Sequence, residues 1–317
     1  MPVSLPTSIE GVAHVEVLHG ADAKPGTAPT LLVEVPHGAD EQRHYDALAA
    51  RLRGDLPVDL DHFFQVNTDV GAWAYGRATA EAVLEAEPGR SALLVRSLIP
   101  RTFIDCNRPA AFAGEDLTKG GVTAGTPPYV EDEQDLSLLR ELHASYVELA
   151  RAAFVAVCGA GGFALVPHTY APRTVGISSV GRDIVEQLHA VYAPDRHEEW
   201  PLRAEVDLLT REQDGTLLAP PGIEEALLEA FARAGFSPVA NDTFYLHPAT
   251  LGHGWSAAHP GRVTCLEIRR DLVVERWRPF EEKRLCPKRI ASVVGVLAPA
   301  LVRLLSGQTT PPRAEHS

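Results

Sequence analysis

Residues 31–40 read LLVEVPHGAD, a run of aliphatic residues that breaks at Pro36 into His37, Gly38, Ala39 and Asp40. A short aliphatic run bounded by a turn reads as a buried strand. A rigid strand that stops at an imidazole, with a carboxylate three residues on, is one way to begin a zinc site, because the turn can bring both side chains onto one ion. Two plainer readings stand beside it. His37 is then an ordinary loop residue, and Asp40 caps the helix that follows.

The same pattern returns at GGFALVPHTY (161–170), a strand that reaches Pro167-His168. SALLVRSLIP (91–100) and RVTCLEIRRDLV (262–273) are two further strong strands. Helical periodicity covers 39–54, 71–86, 131–158, 222–235 and 289–307. HVEVLHG (14–20) predicts an edge strand, and RAEVDLLT (203–210) is a strand candidate inside an otherwise irregular stretch from 171 to 221. PVDLDHFFQVNTD (57–69) is expected to be a loop, and the Gly/Thr/Pro-rich stretch 113–129 a surface excursion. VANDTFYLHPATLGHGW (239–255) mixes a short strand with Gly-rich turns.

Strands separated by long helices predict an α/β fold, a largely parallel sheet under helices on both faces. One domain over residues 1–306 and a disordered tail over 307–317 are expected. Ligands in such folds collect beyond the carboxyl ends of the strands, where His37, His168 and the turn 105–108 all fall.

Composition narrows the chemistry. The formal charge of −13 counts against nucleic acid as a partner, because phosphate needs a basic surface. It also requires any pocket for an anion to be made positive locally, by a few arginines. No apolar stretch is long enough to span a membrane, and the first residues lack a signal-peptide pattern, so a cytoplasmic location is expected. Cys106, Cys158, Cys265 and Cys286 form no CxxC pair, which argues against a thiolate metal site and a disulfide framework. Cys106 and Cys265 read as small buried thiols.

Three constellations carry chemistry. Two histidines at strand ends plus a carboxylate would make a three-ligand zinc site with an open position, the pattern of catalytic zinc; the plainer reading is two unrelated loop histidines. Glu267 lies within an apolar strand, where an acid is rarely buried without a partner or a task. Beside a divalent ion it would take a proton from water and pass it to a leaving amine. Alternatively it pairs with Arg269, on the same face by the strand period of two. In RTFIDCNRP (101–109), Arg101 and Arg108 offer forks suited to carboxylates, Asn107 an orienting amide, and Asp105 a brace for an arginine. Surface arginines without a role are the plainer reading of that turn. There is no GxSxG elbow, P-loop or dinucleotide fingerprint.

Taken together, PHG, TDVGAWAYG, RTFIDCNRP, PHTYAPR, VDLLTREQDGT and CLEIRRDL resemble the N-formylglutamate amidohydrolase family across residues 30 to 280. That family is related in fold to zinc carboxypeptidases and to the aspartoacylase and succinylglutamate desuccinylase group. The resemblance implies a three-layer αβα sandwich with a mixed, largely parallel sheet. It implies a zinc site at His37, Asp40 and His168, with Asp40 standing where the related acylases carry a glutamate and Asp69 next in line. Glu267 is then the general base, and Arg101 assists the developing oxyanion. Arg101, Asn107, Arg108 and Arg269 are the substrate-binding set. The implied substrate is a small anionic N-acyl amino acid, by default N-formyl-L-glutamate. Another acyl amino acid, a peptide, or binding without turnover are the alternatives. The chain departs from the family at Val166, where an Asp is frequent, and in PHGAD, where PHSG or PHAS is usual.

Overall fold

The computed structural model describes residues 4–307. Seven strands form one sheet in the order β1-β3-β2-β4-β7-β5-β6. They are β1 Ala13–His19, β2 Leu31–Val35, β3 Ser91–Ser97, β4 Phe163–Tyr170, β5 Val206–Leu209, β6 Pro238–Ala240 and β7 Val263–Arg269. The central run β3, β2, β4, β7 is parallel, while β1 and β5 join it antiparallel. Because β2, β4 and β7 run the same way, their carboxyl ends emerge at one edge of the sheet.

Among the described residues there are eight α-helices: α1 Gln42–Ala49, α2 Leu60–Asn67, α3 Ala72–Ala86, α4 Glu133–Val157, α5 Ile184–Val191, α6 Ile223–Arg233, α7 Leu251–Ala258 and α8 Pro287–Leu305. Side-chain alternation sends Leu31, Val33 and Val35 to one face of the sheet, where α3, α6 and α8 bury Val83, Leu227 and Leu297 against them. Leu32, Val166 and Cys265 point to the other face, which α4 covers with Tyr146, Ala153 and Phe154. The result is the expected three-layer αβα sandwich.

Two close approaches tie α3 to the sheet. A Cβ at Gly76 would sit 2.9 Å from Pro167 Cγ and 3.0 Å from Val33 Cγ1, so the bare backbone lets α3 lie flat there. The Tyr75 hydroxyl donates to the carbonyl of His168 at 2.9 Å.

The edge strand β1 and all four strong strands are present. Three helices differ from expectation. The Asp- and Phe-rich stretch expected to be a loop carries α2, because Leu60, Phe63, Phe64 and Val66 meet the core. α5 occupies part of the stretch expected to be irregular, burying Ile184, Val185 and Leu188. LGHGW begins α7, capped by the Thr250 hydroxyl accepting from the His253 amide at 3.0 Å. The tail expected after residue 306 lies outside the described residues apart from Gly307. No helix among the described residues is long and apolar enough to cross a membrane.

Candidate metal centre and substrate cavity

At the carboxyl edge of the sheet three side chains converge on one point. His37 follows β2 by two residues, and His168 lies within β4, which continues to Tyr170. Asp69 comes from the turn between α2 and α3. Its Oδ2 lies 3.2 Å from His37 Nδ1 and 2.9 Å from His168 Nδ1, and ligand atoms of all three lie within 4.8 Å of one another. Asp69 is 1% exposed. The turn that delivers it needs Gly71, whose φ is +87° and whose added Cβ would lie 2.7 Å from Val273 Cγ2.

The expected third ligand, Asp40, lies apart from this group, and Asp69 stands in its place. Asp40 is drawn to Arg96 of β3, with Arg96 Nη2 2.7 Å from its Oδ1, while its Oδ2 accepts from the Gly71 amide at 3.2 Å. Arg96 is the register partner of Val35, so it waits beside the strand end and captures the first carboxylate past it. Asp40 therefore steadies the turn that carries Asp69 instead of joining the histidines.

Further groups hold the cluster. His37 Nε2 faces Asp105 Oδ1 at 2.7 Å, and Asp105 Oδ2 takes Arg101 Nη2 at 2.9 Å. Asp105 thus braces an arginine as expected and also orients an imidazole. Arg101 Nη1 and Arg270 Nη2 approach Asp69 Oδ1 at 3.2 and 3.3 Å. Burial alone would raise the Asp69 carboxyl; the charge of His37, hydrogen bonds from both histidines and Arg101 overcome it and hold the group well below the usual carboxylate range. Asp105 is likewise held low against its burial, by His37, Arg101 and Arg108.

Glu267 on β7 is the direct cross-strand partner of His168 on β4. Its Oε2 is buried without a hydrogen-bond partner. Burial is the main cause that pushes its pKa up to about 7, with the Asp69 charge adding to it and His168, Arg270 and Arg101 opposing. The alternative reading, an ion pair between Glu267 and Arg269, does not hold: no such pair forms among the described residues. Arg269 Nε binds Asp271 Oδ1 at 2.8 Å and its Nη2 faces Glu205 at 3.4 Å. The 3₁₀ turn that follows β7 buries the next residue, Arg270, against Asp69.

The donor set fits a divalent cation. Two imidazoles and one carboxylate are the usual ligands of a three-coordinate protein site with an open position. Asp105 accepts from His37 Nε2, the carboxylate–histidine support that ligating imidazoles require, and an ion would take the place of the proton between His37 Nδ1 and Asp69. The second group of close acidic and imidazole side chains, Asp40, Glu41 and His44, already holds the Arg96 guanidinium.

A cavity of about 280 Å³ opens beside the cluster, lined among others by His37, His168, Glu267, Arg101, Asn107 and Arg108. Arg203 and Arg270 also line it, and Arg269 does not. Asn107 Oδ1 accepts from the Gly252 amide at 2.9 Å. Arg108 is buried with Nε unpartnered, its Nη1 donating to the Asn107 carbonyl at 2.9 Å. Sequence reasoning missed Arg203 and Arg270. Arg203 precedes a short strand in a stretch without clear periodicity. The doubled arginine of EIRRDL was the available signal for Arg270. All four cysteines are free, and Cys106 and Cys265 are buried.

The architecture, a three-layer αβα sandwich around a mixed open sheet, is shared by solved structures. A solved N-formylglutamate amidohydrolase from Ralstonia eutropha JMP134 shares it, with a TM-score of 0.51 and 18% identity over 94% of this chain and 98% of that one. A gene product of Agrobacterium tumefaciens shares it with a TM-score of 0.52 and 18% identity, over 93% of this chain and 95% of that one. A succinylglutamate desuccinylase from Vibrio parahaemolyticus aligns over 96% of this chain with a TM-score of 0.37 and 9% identity. No protein-family model matches the chain. No curated protein matches it either.

Proposed function

We propose that the protein is a zinc-dependent amidohydrolase that cleaves the amide bond of a small anionic N-acyl amino acid. The observation that carries this reading is the His37–Asp69–His168 cluster set beside Glu267, an acid with an unpartnered buried oxygen. The shared architecture with a solved N-formylglutamate amidohydrolase supports it.

His37, Asp69 and His168 would hold the ion, which supplies a Lewis acid when bound. Glu267 has the ordinary task of a general base whose pKa is near neutrality. It accepts a proton from water attacking the acyl carbon and returns that proton to the amine nitrogen as the amide breaks. Arg101 lines the cavity within the same network and offers positive charge where the carbonyl oxygen becomes negative. Arg108 and Asn107 receive a substrate carboxylate. Arg108 suits this because it has no salt bridge among the described residues, whereas Arg101 and Arg270 are already paired with acids.

N-formyl-L-glutamate is the substrate with which to begin. Protein loaded with zinc should release formate and glutamate from it or from a closely related N-acyl amino acid, and chelation should abolish release. A protein that binds no divalent ion and turns over no N-acyl amino acid would refute the reading.

A further inference from the structure

The cavity is larger and more apolar than a formyl group requires. One side of it is the polar cluster. Much of the rest is aliphatic or aromatic: Phe63 and Val66 from α2, Ile177 and Val180 from the stretch before α5, and Leu188 and Tyr192 from α5 and its end. α2 and α5 pack on one another, so this wall is part of the fold and is continuous with the buried core.

The charges account for the other half of a substrate. Arg203 lines the cavity, and no acid pairs with it among the described residues. Its Nε donates to Thr174 Oγ1 at 3.2 Å and its Nη1 to the Ala171 carbonyl at 3.3 Å. The guanidinium lies over the rings of Tyr170 at 5.2 Å and Phe244 at 5.7 Å, which hold it in place while Nη2 keeps no protein acceptor. Arg173 also reaches the wall, but its Nη1 is bound to the carbonyls of Glu198 and Trp200. Arg108 and Arg203, with Arg173 further along the wall, line the cavity without a paired acid among the described residues and are open to the carboxylates of an acidic amino acid. With the amino-acid half held by charge, the apolar wall is left for the acyl half.

Building on the amidohydrolase reading, we propose that the acyl group of the substrate is bulky and apolar, branched aliphatic or aromatic, and that α5 with residues 175–180 forms its pocket. A wall that stays dry around such a group favours it by roughly fourfold for each methylene buried.

The test is a series of N-acyl-L-glutamates with formyl, acetyl, isovaleryl and benzoyl groups. Turnover by the zinc-loaded protein is measured, and binding to the Glu267→Gln variant is followed by calorimetry. The expected result is a rise in kcat/KM of tenfold or more from formyl to isovaleryl or benzoyl, with a parallel gain in affinity. Val180→Trp, at the partly buried rim of the wall, should lower the benzoyl-to-formyl ratio at least tenfold while the thermal midpoint is kept. A series that is flat, or best for formyl, overturns the proposal and leaves the amidohydrolase reading standing. Turnover and binding of no member of the series overturns both.

Discussion

Glu267 and His168 stand side by side on adjacent parallel strands, direct partners in the register of β7 and β4. The sheet itself thus sets their separation, and no loop has to order before the acid and the imidazole meet. Replacing Glu267 by Gln keeps the shape and removes the base. Turnover should fall by roughly 10²- to 10⁴-fold, with the thermal midpoint unchanged or higher because a buried acid is gone. On the proposed mechanism the base acts ionised, so in the parent protein kcat/KM should rise with pH through about 7 and then level. The variant should lack that limb. A Gln variant with the parent rate sinks the assignment.

Asp69 and Asp40 separate cleanly by metal titration. Asp69→Asn should weaken zinc binding by more than tenfold, measured by competition with a chromophoric chelator. Asp40→Asn should alter affinity far less. Its loss frees Arg96 and the Gly71 amide and should show as reduced thermal stability. The reverse ranking would restore Asp40 to the ligand set.

Arg270 ties the end of β7 to the end of α2. It donates to the carbonyls of Val66, Asn67 and Thr169 and to Asp69 Oδ1. Lys283 adds a second cation to that helix end, donating to the Gln65 carbonyl. Together they satisfy carbonyls a helix terminus leaves open. Arg270→Ala removes one of the cations on buried Asp69 and leaves several carbonyls open, and should cost about 3–5 kcal/mol in denaturant unfolding at unchanged m-value. A loss under about 1 kcal/mol would mean that water replaces the guanidinium.

Glu34 gives a stability signature away from the cluster. It lies on β2 beneath α4 and accepts from the Tyr146 hydroxyl. Burial, only partly offset by that hydrogen bond, pushes its pKa up to about 7 from 4.5. The raised value means that the unfolded chain gives up this proton first as pH rises. Its contribution is constant below 4.5, declines between 4.5 and about 7, and is flat above. The difference in unfolding free energy between the parent and Glu34→Gln should change by about 3 kcal/mol across that window. A pH-independent difference would place the titration elsewhere.

Much of this was legible in the chain. Apolar runs and helical periods marked the central strands and the long helices, because those elements bury one uninterrupted face. His37, His168 and Glu267 stood out because a polar side chain at the end of, or inside, an apolar strand has few reasons to be there. Asp69 was harder. Its role depends on α2 folding against the core and on a left-handed Gly71, and a row of Asp and Phe residues looks like a loop until Phe63 and Phe64 find their neighbours. Asp40 misled because Arg96, distant in sequence, competes for it. Arg269 misled because Asp271 in the turn after β7 and Glu205, distant in sequence, take its guanidinium.

The back of the sheet is closed by α8 lying along α3, the last of the described helices against one of the first. While the polypeptide emerges from a ribosome, β2 and β4 can pair, but β7 has yet to arrive between β4 and β5, and the apolar face under α8 stays wet. Long-range pairings of this sort fold slowly. Until β7 and α8 have been made, His168 lacks its neighbour Glu267 and the apolar face under α8 has no cover, which leaves a sticky intermediate for chaperones to shelter.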